Sequence, residues 1–166
     1  MAWILSVPIL AGLLMFQIGV LNNLPLLHGY SDLVMLTIIA WALQKNVTTA
    51  WQWGILGGIM MTIVSALPLG VYLICYLILV GMTLLIKKIV WRIPLISMLL
   101  VTVVGTFLVL GSSYTFLRIT NIQLPLSYSF REIMLPSALL NVILAIPIYA
   151  FMSEVAKWLY PEVIEV

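Results

Sequence analysis

A chain of 166 residues is long enough for one domain, yet 64% of it is hydrophobic and only 7% is charged. Soluble domains carry about 25% Asp, Glu, Lys and Arg, so the composition excludes an ordinary water-soluble fold. The net charge of +2, without a basic cluster, excludes a nucleic-acid binder.

The apolar runs are continuous. That favours lipid-embedded helices, which satisfy their own backbone, over the alternating segments of a membrane barrel. At about 20 residues per span, the chain holds an all-α membrane protein, a single bundle of about six transmembrane helices. Helix 1 covers 3–21, with Pro8 in its early turns. It lacks the basic flank and small-residue cleavage site of a leader, so it reads as a retained helix. Asn22, Asn23 and Pro25 then mark a turn.

Helix 2 is the difficult one. The clean apolar run from Leu33 to Leu43 is too short for a hydrocarbon core of about 30 Å. Extending it to 24–44 gives a full span, with Asn23 as cap and Pro25 in the first turn. The extension carries His28 and Asp32 into the membrane zone on one helix face.

Residues 45–49 form a short loop, and helix 3 covers 50–67. Pro68-Leu69-Gly70 is a tight turn before helix 4 at 71–86. Lys87, Lys88 and Arg92 mark a loop ending at Pro94, and helix 5 covers 95–117. Residues 118–132 form the longest polar connection. Helix 6 covers 133–159, with Pro136 in its first turns and a bend expected at Pro147.

Lys45, Lys87, Lys88, Arg92 and Lys157 fall on the side that both termini share, against Arg118 and Arg131 on the other. Short loops rich in Lys and Arg stay in the cytoplasm, so both termini are expected there. Trp3, Trp51, Trp53, Trp91 and Trp158 sit near the same ends, as an interfacial aromatic belt would.

His28 and Asp32 are the only histidine and the only acidic residue before Glu132. One reading is an ion or proton relay, or a polar lock between helices. The other starts the helix near Ser31, sets Asp32 against the helix dipole and leaves His28 in a loop. Ala50, Gly54, Gly58, Thr62 and Ala66 recur every four residues. Such a small-residue stripe admits a close helix neighbour, from this chain or from a partner. Asn141 in helix 6 and Gln17 in helix 1 suit interhelical hydrogen bonds. Glu154 and Lys157 suit a solvated pair.

The loop with Lys87, Lys88 and Arg92 suits anionic lipid, an acidic cytoplasmic partner, or simple topology determination. Cys75 is the only cysteine, so no intramolecular disulfide and no cysteine metal cluster is expected. With one histidine, no paired intramembrane acids and no phosphate-binding loop, neither catalysis nor a cofactor is expected.

Four features resemble MreD, the rod shape-determining membrane protein family of bacteria. Ser31-Asp32-Leu33 is similar to the family's Pro-Asp-Leu. Gly54 to Gly58 before an apolar stretch resembles its glycine-rich third segment, and Pro68-Leu69-Gly70 follows at the family's spacing. Leu135-Pro136-Ser137-Ala138-Leu139-Leu140-Asn141, then Pro147, resembles its last helix. The resemblance spans nearly the whole chain. Thr62 stands where many members carry an Asp, and Ser31 where Pro is usual.

The resemblance implies a non-catalytic scaffold of the cell-elongation machinery in the bacterial cytoplasmic membrane. Its implied partners are MreC, MreB, RodA and a class B penicillin-binding protein. The family also resembles the substrate-binding subunits of energy-coupling-factor vitamin transporters, which supply the alternative. Under it, His28, Asp32, Asn121, Gln123 and Arg131 near the outer ends would line a pocket. The Ala-x-x-x-Ala spacing that those subunits' first helix shows is absent from Trp3–Leu21.

Overall fold

A computed structural model describes residues 2–21, 29–65, 67–68, 70–89, 93–122 and 125–161. Every regular element among the described residues is helical: α1 (Ala2–Gly19), α2 (Leu33–Leu43), α3 (Ala50–Val64), α4 (Val71–Ile89), α5 (Pro94–Ile119) and α6 (Leu126–Leu159). Three of them, α4, α5 and α6, are long and apolar enough to cross a membrane. The other three are shorter than the expected spans.

The largest departure is α2. It covers 11 residues, about 16 Å of helix, rather than the span 24–44. Residues 29–32 are not helical, and Asp32 is the N-cap. Asn23 and Pro25 lie outside the described residues. Asp caps a helix well because its carboxylate accepts an N–H from the first turn, here that of Met35 at 2.9 Å. This start follows the reading that sets Asp32 against the dipole, but it does so deep inside the protein.

The second departure is α6, which begins at Leu126 and absorbs much of the expected polar connection. A π-helical turn, Ser129–Met134, precedes Pro136. Proline lacks an N–H and crowds the carbonyl four residues back. The wider turn, with Leu135 N–H donating to Phe130 O, carries the helix past that conflict.

A helix that is apolar on all sides belongs in the centre. All 11 residues of α2 are buried, and it packs against α1, α3, α4, α5 and α6. Contact pairs give the directions. Asp32 meets Tyr76 and Gln44 meets Lys87, so α2 and α4 run parallel. Gly54 lies against Val80 and Gly58 against Leu73, so α3 and α4 are antiparallel.

The exterior is apolar. Ile63 on α3, Ile74 and Leu85 on α4, Leu100 on α5 and Ile143 on α6 are exposed, while Gln17, Asp32, Thr83, Thr106, Ser137 and Asn141 are buried. Water would expel the first set and solvate the second; a hydrocarbon medium accepts this distribution. Buried hydroxyls of Thr37, Thr62, Thr83 and Thr106 donate to carbonyls one turn earlier, which satisfies them within their own helix.

Trp53 is not at an interface. It is fully buried and stacks on Trp41 with ring centroids 4.5 Å apart. Trp158 and Trp51 are exposed, and Trp91 lies outside the described residues.

Candidate functional site

The start of α2 is an interrupted backbone inside a helix bundle. Its first N–H groups have no partner within the helix, and each that stays unpaired there costs several kcal/mol. Side chains from other helices supply the acceptors. Leu33 N–H donates to Gln17 Oε1 of α1 at 2.8 Å. Asp32 N–H donates to Asn141 Oδ1 of α6 at 2.9 Å. Tyr30 N–H donates to Ser137 Oγ of α6 at 2.7 Å.

These side chains are themselves held. Gln17 Nε2 donates to the Tyr30 hydroxyl at 2.7 Å, and Asn141 Nδ2 donates to Thr106 Oγ1 of α5 at 3.0 Å. The Tyr76 hydroxyl of α4 donates to the Asp32 carboxylate, 2.8 and 2.7 Å from its two oxygens. Five helices therefore meet at one polar cluster. Asp32 is 3% exposed. Its carboxylate faces the positive end of α2 and binds the Met35 N–H and the Tyr76 hydroxyl.

The approach of residues 29–32 to α6 requires glycine. A Cβ on Gly29 would lie 2.8 Å from the Pro136 carbonyl carbon and 2.9 Å from Ser137 N. The void beside the cluster is about 10 Å³, the space of roughly one water. The cluster can fix a half-length helix at a set depth and join five helices. It does not offer room for a solute.

The other end of α2 is held in the same way. Lys87 Nζ of α4 donates to Ala42 O at 3.2 Å and to Gln44 O, and Gln44 Nε2 donates to Ala40 O. A cation at the carbonyl end of a helix is favourable. Lys88 is exposed nearby. Arg92 and His28 lie outside the described residues, so the pairing of His28 with Asp32 has no geometry.

The small-residue stripe faces inward. A Cβ on Gly54 would lie 2.8 Å from Val80 Cγ2, and one on Gly58 would lie 2.7 Å from Leu73 Cα. Ala50 and Thr62 are buried on the same helix. Gly54 and Gly58 are thus spent on the α3–α4 contact of this chain, Ala50 and Thr62 are buried within it, and Ala66 lies outside the described residues. Glu154 and Lys157 form an exposed pair at 2.7 Å.

Reading the sequence singled out Gln17, Asp32 and Asn141 but missed Tyr30, Tyr76, Thr106 and Ser137. One signal was present: Tyr76 stands in an apolar run, and its hydroxyl needs a partner once buried. Comparison with family models, curated proteins and solved structures finds no match to this chain.

Proposed function

We propose that the chain is a multi-pass scaffold subunit of the bacterial cell-elongation machinery in the cytoplasmic membrane, similar in role to MreD. In this reading all six helices lie in the bilayer with both termini cytoplasmic, and α2 is a discontinuous element held at depth by protein rather than by lipid. The partners are MreC, MreB, RodA and a class B penicillin-binding protein. They would meet outward helix faces and short loops, since the α3 stripe is already occupied.

The observation that carries the proposal is the hydrogen bond from Asp32 N–H to Asn141. It ties together the two segments, Ser31-Asp32-Leu33 and Leu135–Asn141, on which the resemblance rests most. Two motifs far apart in sequence meet at the point where five helices are joined, as residues that define a scaffold's shape would. The solute-binding alternative needs roughly 300 Å³ or more; the void at the Asp32 cluster is about 10 Å³, while His28 and Gln123 of its expected lining lie outside the described residues.

The test is gentle purification of the full chain from its host and identification of what accompanies it. Recovery of cell-wall synthesis proteins, reduced by Asn141→Leu, supports the scaffold. Recovery with an ATPase pair and a bound vitamin overturns it.

A further inference from the structure

The void beside the Asp32 cluster has about the size of one water and is mostly polar. Four of the seven residues around it, Tyr30, Asp32, Thr106 and Asn141, carry polar side chains, and Val109 of α5 is among those that complete the wall. Cavities that stay dry are lined by apolar groups, so this one calls for an occupant that hydrogen-bonds.

The bonds already made at these four residues leave a definite remainder. The Tyr30 hydroxyl accepts from Gln17 Nε2, and its own hydrogen meets no acceptor among the described residues. A carboxylate has room for about four incoming bonds. Asp32 Oδ1 receives the Met35 N–H and the Tyr76 hydroxyl, whereas Oδ2 is approached by Tyr76 alone. Asp32 makes no ion pair among the described residues. Asn141 Oδ1 accepts from Asp32 N–H and keeps a second lone pair. Thr106 Oγ1 donates to Thr102 O, accepts from Asn141 Nδ2 and likewise keeps one. One donor and several acceptors therefore surround one small space.

Only a species that both accepts and donates fits this set. A cation would leave the Tyr30 hydrogen without an acceptor, an anion would be repelled by Asp32, and an apolar group would satisfy nothing. A water accepts from Tyr30 and donates to Asp32 Oδ2 and to the oxygen of Asn141 or Thr106. That makes about three bonds, the usual number for a buried water.

We propose that this void binds one ordered water, which bridges the Tyr30 hydroxyl to the Asp32 carboxylate. The bridge fastens the segment before α2 to α5 and α6 and gives a buried carboxylate one more donor, where charge assistance makes each bond strong. The inference rests on the buried cluster and not on the scaffold role, so the two fail separately.

The full chain, crystallised from a lipid phase at a resolution that shows ordered solvent, is expected to carry one density peak within hydrogen-bond distance of Tyr30 Oη and Asp32 Oδ2. Val109→Ile adds a methyl group at the void wall. It is expected to remove the peak and to lower the thermal midpoint by a few degrees, because the bridged groups are left unpaired. In a Tyr30→Phe background the same substitution is expected to cost less, since no hydroxyl hydrogen remains to be stranded; the double-mutant cycle reads this coupling. A rise in midpoint with Val109→Ile is the response of a dry void being filled and overturns the proposal. An equal fall in both backgrounds is plain overpacking and overturns the bridge. Stabilisation by sodium chloride over choline chloride, lost in Asp32→Asn, overturns water as the occupant.

Discussion

Replacing Asn141 with leucine isolates the polar cluster from packing. The two side chains have the same number of heavy atoms, so no large cavity opens. Two hydrogen bonds are lost. Thr106 loses only an incoming bond, since its hydroxyl still donates to Thr102 O at 2.8 Å. Asp32 N–H loses its acceptor, and Asn141 sits at 1% exposure, away from bulk solvent. Leaving a buried donor unpaired costs about 1–3 kcal/mol, whereas an interhelical side-chain bond in a bilayer averages about 0.6 kcal/mol. Asn141→Leu is therefore expected to cost about 2 kcal/mol, about a 30-fold shift in the unfolding equilibrium at 1.4 kcal/mol per decade. Thr106→Val is expected to cost about 1 kcal/mol in the native background, where it strands the Asn141 amide, and close to nothing once Asn141 is leucine. The double-mutant cycle, measured by reversible unfolding in mixed micelles, reads this coupling directly. Additive costs, or an Asn141→Leu penalty no larger than that of Thr106→Val, would refute the claim that the amide serves the α2 backbone.

Two further expectations concern packing and charge. Gly58→Ala sets a methyl 2.7 Å from a backbone atom, Leu73 Cα. It is expected to lower stability by about 1–3 kcal/mol, or several degrees in thermal midpoint for a chain of this size. Gly54→Ala meets only a Val80 methyl, and Gly12→Ala meets nothing within 4 Å, so the losses are expected to rank Gly58, Gly54, Gly12; thermal scans giving another order reject the inward-facing stripe. Asp32→Asn keeps an N-cap acceptor and a partner for Tyr76, so folding is expected to survive, whereas Asp32→Ala loses the cap at about 1 kcal/mol and strands the Tyr76 hydroxyl. Normal cell shape and growth with Asp32→Asn excludes a relay that needs the carboxylate charge; lost shape with intact folding excludes a purely structural Asp32.

The sequence was most legible where one physical signal acted alone. The turn at Pro68 and Gly70 and the start of α5 at Pro94 follow from backbone chemistry that no tertiary contact reverses. The stripe at Gly54 and Gly58 announced a close helix approach, but its partner depended on which helix returned beside it, a long-range fact. Trp53 was misplaced because interfacial and buried tryptophans look alike in sequence; the ring of Trp41 one helix away decides between them.

Composition by itself pointed to a lipid medium, because so few charges leave little hydrated surface, and hence to helices, because lipid offers the backbone no other partners; the described elements are all helical, and three are long and apolar enough to cross a membrane. The depth of Asp32 and the length of α2 were decided only by the tertiary structure. A span of 24–44 is what an isolated segment needs in order to satisfy its own backbone. Once Gln17, Ser137 and Asn141 from other helices accept the N–H groups of Leu33, Tyr30 and Asp32, the chain can break its helix inside the bundle without leaving these three unpaired.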